Sequence, residues 1–142
     1  MNESYPQQGL PQFPVSVVMA TYNGERFLEQ QINSILIQTV KPAEIIVCDD
    51  DSTDNTVTIL EKFSKNHHLT YYRNTKRIGV VENFKKAILL ARPSNYIALC
   101  DQDDIWLPEK IEKLYNAIGD SWLVYSDSIL IDEVGQSLQK NL

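Results

Sequence analysis

Two hydrophobic patterns alternate along the chain. Val15-Ser16-Val17-Val18-Met19-Ala20, residues 44–48 and residues 96–100 are short, nearly unbroken apolar runs rich in β-branched residues. Runs of that length and composition predict strands buried in a parallel sheet. Between them, apolar residues recur at helical spacing. Residues 25–38 put Leu28, Ile32, Ile35 and Leu36 on one face, and residues 56–65 turn Val57, Leu60 and Phe63 inward. Residues 80–91 group Val81, Phe84, Ile88 and Ala91, and residues 109–118 group Ile111, Leu114 and Ile118. Pro108 suits the first turn of that last helix. Residues 69–73 predict a short third strand and residues 122–125 a fifth, with one more at Ile129-Leu130-Ile131 before a turn at residues 132–135. No internal repeat or low-complexity tract interrupts the series.

Strands alternating with helices predict an α/β fold, a doubly wound, mostly parallel sheet between two layers of helices. In strand order 3-2-1-4, the carboxyl ends of strands 2, 1 and 4 share one edge. That edge is where open α/β sheets bind ligands.

The polar residues at that edge change the picture. Asp49-Asp50-Asp51-Ser52 follows the second strand, and Asp101-Gln102-Asp103-Asp104 follows the fourth. Turn formation and helix capping account for Asp51, Ser52 and Asp54. They account less easily for Asp101 and Asp103, because one or two acids suffice for a cap. A divalent cation relieves the repulsion, and hard oxygen ligands favour magnesium or manganese. Thr21-Tyr22-Asn23-Gly24 follows the first strand, with Asn-Gly supplying tolerance for positive φ.

Length and composition narrow the class. A chain of 142 residues with 43% hydrophobic residues builds one domain with a real core. A net charge of −6 argues against a nucleic-acid surface. No apolar stretch reaches the roughly 20 residues that span a bilayer. Residues 1–14 are polar and lack the charged and apolar regions of a secretory signal, so they are expected to form a flexible leader. Cys48 and Cys100 lie in strands on either side of a common neighbour, about 10 Å apart and too far for a disulfide. Both are expected to be small buried residues in a reducing, cytoplasmic setting.

Several chemistries fail on the motifs. The turn after strand 1 is not G-x-G-x-x-G, and there is no G-x-x-x-x-G-K-[ST] loop. His67 and His68 are adjacent at an exposed helix end and offer no zinc spacing. A phosphatase would need an Asp nucleophile at the end of strand 1. A nucleoside diphosphate held through a cation fits better. Asp103, with Asp101, would coordinate the ion, which stabilises charge on the departing diphosphate. Asp50 could accept from a base N–H or a ribose hydroxyl. Tyr22 could lie against the base or pack.

At this point the chain resembles the family 2 glycosyltransferases with the GT-A fold. The likeness rests on Val17-Val18-Met19-Ala20-Thr21-Tyr22-Asn23-Gly24, on Ile46-Val47-Cys48-Asp49-Asp50-Asp51-Ser52-Thr53-Asp54, and on Asp101-Gln102-Asp103-Asp104-Ile105-Trp106-Leu107-Pro108. The segment 74–83, with Gly79, is similar to the family's stretch between strand 3 and helix 3. The resemblance implies a UDP- or dTDP-sugar donor, a Mn2+ or Mg2+ cofactor, and an inverting transfer to a saccharide or lipid-linked acceptor. Carried over by motif, Thr21, Tyr22 and Glu25 match nucleoside-side residues, and Asp50 matches the acid that binds the base. Asp101 and Asp103 match the D-x-D pair, with Asp103 the direct metal contact. Asn83 is placed near the sugar or phosphates. The wording of the third motif is similar to that of enzymes building bacterial cell-surface polysaccharides, which implies work at the inner face of the membrane.

One departure stands out. The family's general base lies well beyond the D-x-D segment, and only Asp127 and Asp132 are in plausible reach here, both more in keeping with turns. Residues 15–142 are therefore expected to be a donor-binding part truncated before the acceptor-binding half. Such a part can expose apolar surface and pair as a homodimer. The alternatives are a non-catalytic nucleotide-binding or regulatory module, an acidic interaction domain without a ligand, and a sugar nucleotidyltransferase. The last would need a Gly-rich basic loop after strand 1.

Overall fold

The computed structural model describes residues 12–66, 69–93 and 95–138. Its elements are β1 (Gln12–Thr21), α1 (Leu28–Leu36), β2 (Lys41–Asp49), α2 (Thr56–Asn66), β3 (Leu69–Arg73), α3 (Val80–Leu90), β4 (Tyr96–Cys100) and α4 (Lys110–Ile118). The four strands form one parallel sheet, as the alternation predicts, in the order β3-β2-β1-β4. Thr21 lies opposite Asp49, Asp49 opposite Arg73 and Met19 opposite Cys100, so the carboxyl ends finish near one level.

Strand alternation divides the core. Val15, Val17 and Met19 point to one face with Ile45, Val47 and Leu69, where Leu28, Ile32 and Ile35 of α1, Leu60 and Phe63 of α2, and Ile111 of α4 cover them. Val18, Ile46 and Cys48 point to the other face, against Phe84, Ala87 and Ala91. Each fully buried aliphatic side chain contributes about 1.5–3 kcal/mol. The first face holds most of them and anchors the sheet. Both cysteines are buried and free, with β1 between their strands.

Several boundaries differ from the sequence pattern. β1 begins at Gln12, which takes residues 12–14 out of the expected leader; residues 1–11 lie outside the described residues. β2 begins at Lys41, with an irregular register between Phe13 and Ser16 that accommodates Pro42. α1 starts at Leu28 because the Phe27 and Leu28 N–H groups both donate to the Gly24 carbonyl and form a turn first. His67 and His68 lie outside the described residues.

Four expectations are corrected. β4, expected to be buried like β1 and β2, is an edge strand with β1 on one side only among the described residues, and it leaves Tyr96, Ile97 and Leu99 exposed. The inward face of α3 is Asn83, Ala87 and the half-buried Phe84, whereas Val81 is 73% and Ile88 40% exposed. The cause is polar: the Asn83 amide donates to the Cys48 carbonyl at 2.6 Å, and this contact sets the helix rotation. The strand expected at 122–125 is absent, because no ladder partner lies beside it among the described residues. Trp122, Leu123 and Tyr125 are exposed there. Of the strand expected at 129–131, one antiparallel bridge remains, Ile131 to Ser137 around the turn at 132–135. Among the described residues, no helix is long and apolar enough to cross a membrane.

Candidate functional site

The first loop is stitched to the second by successive main-chain donors. The Asn23, Gly24 and Glu25 N–H groups donate to Ser52 Oγ (2.9 Å), Thr56 Oγ1 (2.8 Å) and Asp54 Oδ2 (3.0 Å). Asn23 takes φ 49°, the positive value the Asn-Gly pair anticipates. Asp54 also accepts from the Thr56 N–H at the start of α2, which is a helix cap. Burial would raise the Asp54 carboxyl, but the Thr56 and main-chain donors outweigh it and hold it below the usual carboxylate range.

Asp50 is the hub of the second loop. It is buried, and its carboxylate accepts from Asn74 Nδ2 (2.9 Å), the Ile78 N–H (2.7 Å) and the Gly79 N–H (2.8 Å). Burial pushes this carboxyl up, but those three donors and the charge of Arg77 pull it below its ordinary value. Asn74 spends its second amide hydrogen on Asn83 Oδ1 (2.9 Å) and accepts from Lys86 Nζ (2.7 Å). The segment 74–79 is thereby tied to the end of β2 and to α3. It carries Arg77, whose guanidinium stacks 3.9 Å from the Tyr22 ring centroid.

The acidic loop after β4 is built differently. Among the described residues, no hydrogen-bond donor reaches the carboxylates of Asp101, Asp103 or Asp104, and all three residues are exposed. Partial burial, then the charges of Asp104 and Asp103, push the Asp101 carboxyl above its ordinary value. The Gln102 side chain between them bonds to the main chain of Tyr22.

These loops enclose a cavity of about 450 Å3. Of the residues singled out from sequence, Thr21, Tyr22, Asp50, Asn83, Asp101 and Asp103 line it. Thr21 is committed within the protein, its hydroxyl donating to Asp49 at 2.9 Å. Glu25 lies outside the lining, its carboxylate accepting from the Asn55 main chain and side chain at 2.8 Å. The structure adds Arg77 and Gln102 to the lining. In the sequence Arg77 is one cation of the segment 74–83 and Gln102 the middle of an acidic motif, and neither pattern marks its residue for the cavity. An aromatic ring, a guanidinium and three carboxylates lining one cavity suit a polar ligand.

A second cavity, about 550 Å3, opens beyond Asp103 between α4 and residues 126–137. Asp103 faces both cavities. Asp127 lines the second, its carboxylate accepting from the Ser128 N–H, while Asp132 accepts from the Val134 and Gln136 N–H groups and closes a turn.

Among the described residues, no three His, Cys, Asp or Glu side chains gather into a ready cation cage. The donor set still fits magnesium or manganese. Such ions are commonly held by one or two carboxylates plus substrate phosphates and water. Asp101 and Asp103 supply two carboxylates that repel each other without a counter-charge.

Comparison with known proteins agrees with this geometry. The family model for glycosyl transferase family 2 matches residues 16–138. An uncharacterised glycosyltransferase of Methanocaldococcus jannaschii is 36% identical over 132 residues, covering 89% of this chain and 45% of the relative. The dTDP-rhamnosyl transferase RfbG of Shigella flexneri is 36% identical over 105 residues, covering 70% of this chain and 36% of the relative. The crystal structure of S. aureus TarS 1-349 in complex with UDP-GlcNAc superimposes with a TM-score of 0.68 at 26% identity, covering 75% of this chain and 31% of that one. The chain spans less than half the length of these curated relatives. Fold, motif order and family match agree: this chain belongs to glycosyl transferase family 2, on a three-layer α/β/α fold of the GT-A type.

Proposed function

We propose that the chain is the donor-binding part of a glycosyltransferase of cell-surface polysaccharide synthesis. It takes a UDP- or dTDP-sugar and serves an inverting transfer to a saccharide or lipid-linked acceptor. The observation that carries the reading is the convergence of three loops on one cavity lined by Tyr22, Arg77, Asp50, Asp101 and Asp103. RfbG is named for a dTDP donor and TarS was solved with UDP-GlcNAc, which supports a nucleotide sugar in the corresponding crevice.

Each residue then has a task. Tyr22 presents a ring face to the base. Asp50, held ionised by its donors, has lone pairs left for a base N–H or ribose hydroxyl. Arg77, beside that ring, puts a positive charge next to the base or the first phosphate. Asn83, which lines the cavity, orients the phosphate or sugar end. Asp101 and Asp103 would hold Mn2+ or Mg2+, with Asp103 the direct contact. When bound, the cation neutralises charge on the diphosphate leaving group.

An inverting transfer also needs a carboxylate to deprotonate the acceptor hydroxyl. Asp132 is spent on a turn. Asp127, on the wall of the second cavity, is the other acid in reach among the described residues, and the reading of residues 15–142 as the donor half places base and acceptor site instead in the length of the relatives that this chain does not span. Lipid-linked acceptors would place the whole enzyme at the inner membrane face.

Calorimetric titration of UDP and dTDP, with and without Mn2+, tests the reading beside Asp103→Ala. Binding that requires both the metal and Asp103 is expected, and it ranks the two bases. Binding indifferent to both would return Asp103 to a structural role and favour a non-catalytic nucleotide-binding module.

A further inference from the structure

The middle residue of the acidic motif makes contacts that a spacer would not. Gln102 Oε1 accepts from the Tyr22 N–H at 2.9 Å, and Gln102 Nε2 donates to the Tyr22 carbonyl at 3.2 Å. A side-chain amide offers a donor and an acceptor side by side on one planar group, which matches the N–H and carbonyl of a single residue. Glu lacks the donor, and Asn is a methylene shorter.

Gly24 makes room for this pairing. A Cβ placed on Gly24 would stand 2.3 Å from Gln102 Oε1, 2.7 Å from Cδ and 3.3 Å from Cγ. The glycine cannot drift aside. Its N–H donates to Thr56 Oγ1, and its carbonyl accepts from the Phe27 and Leu28 N–H groups. Gln102 therefore lies in a seat cut by the absence of a side chain at position 24.

We propose that Gln102, seated on Gly24, is a positioning residue that fastens the Asp101–Asp103 loop to the Tyr22 loop, so that cation and nucleotide bind as one cooperative unit. This rests on the donor-site reading above and deepens it. Asp101 and Asp103 flank Gln102 in sequence, so holding that side chain holds both acids. Left free, like charges relax by moving apart. The clamp keeps them together and prepares the cation's ligands before it arrives, at less cost on binding. Because the same side chain grips the main chain beneath the Tyr22 ring, order gained at either end is shared with the other. That sharing is a coupling between two ligands.

The test uses the 142-residue chain, UDP and MnCl2, with Gln102→Ala, Gly24→Ala and the double variant. In Gln102→Ala, the factor by which Mn2+ raises UDP affinity is expected to fall about tenfold or more, while metal-free affinity changes less than about threefold. A merely structural residue would lower both alike. Gly24→Ala, which evicts Gln102 without touching an acid, gives the same loss, and the double variant is no worse than either single one. Without any ligand, the Tyr22 amide is expected to exchange about tenfold faster in Gln102→Ala, since its hydrogen-bond acceptor is gone.

A metal enhancement that survives Gln102→Ala, or a loss equal with and without metal, overturns the proposal. So does a Tyr22 amide equally protected in the variant. Wild-type protein that binds no UDP under either condition sinks the donor-site reading and the coupling with it, while the exchange measurement still decides whether the clamp exists. If Gly24→Ala does not fold, Gln102→Ala alone carries both measurements.

Discussion

Two acidic loops sit at the same sheet edge and are electrostatic opposites. In the loop after β2, donors meet the buried carboxylates of Asp49 and Asp50 and the half-buried one of Asp54. Asp49 accepts from Thr21 and Ser52, Asp50 from Asn74, Ile78 and Gly79, and Asp54 from the Glu25 and Thr56 N–H groups. Asp50 and Asp54 are pulled below their ordinary pKa by that company. In the loop after β4, Asp101 is pushed above it by burial and by its own neighbours. The same residue type thus does two jobs. The first loop is structure: its charges are already answered and they hold the crevice in shape. The second keeps its repulsion unanswered, and an unanswered cluster is what a cation has energy to gain from.

The largest effect that tests this contrast is on stability. Asp50→Ala leaves the part-buried Ile78 and Gly79 N–H groups and the buried Asn74 amide without their acceptor, and is expected to cost about 3 kcal/mol in a urea denaturation. Asp101→Asn removes a repelled charge from an exposed loop, so its unfolding midpoint should stay or rise slightly, while metal-dependent UDP binding drops. Equal destabilisation by the two changes would erase the distinction between the loops.

The pH dependence sharpens it next. For Asp50 the folded pKa lies below the unfolded one, so between the two values the unfolded chain binds more protons and stability rises with pH. Its contribution is complete above the ordinary carboxylate value of 3.8 and is lost as pH falls through the folded value. Asp101 has the opposite sign: between 3.8 and its raised value the folded chain binds more protons, so stability falls as pH rises. Urea midpoints across the acid range should therefore lose part of their acid limb in Asp50→Asn. In Asp101→Asn they should lose the opposing slope just above it. An unchanged acid limb in Asp50→Asn would mean that its hydrogen bonds do not favour the ionised form.

How much of this was legible in the sequence follows from what each feature depends on. The parallel sheet was legible because strands alternating with helices write themselves as apolar runs, though the run of β4 proved an exposed edge, and the acidic loops because charges stop those runs abruptly. The α3 face was misread because apolar spacing pointed to Val81 and Ile88, whereas one buried amide, Asn83 to the Cys48 carbonyl, decides the rotation. The strand expected at 122–125 was misread because a strand needs a neighbour, and neighbours are not written in a local pattern. Arg77 and Gln102 were visible as letters but not as site residues. Their positions depend on loops meeting across 55 and 80 residues of chain, at Tyr22.

The smallest expected effect concerns the side of the molecule next to the unanswered acids. The chain has two tryptophans that report on opposite conditions. Trp106 is 3% exposed, packed in the main core with Lys110 Nζ 4.8 Å from its ring centroid, and Trp122 is 102% exposed just past α4. Trp106→Phe should leave an emission at the wavelength of indole in water, quenched freely by iodide. Trp122→Phe should leave a blue-shifted, protected one. Trp122→Ser should change stability by less than about 0.5 kcal/mol, because it removes no packed contact. A shielded Trp122 that becomes water-like on dilution would mean that a second copy covers this face, since only association responds to protein concentration. Shielding that persists at any dilution would mean that residues 119–131 pack against their own chain, and that the second loop lies in a firmer frame than the first comparison allows.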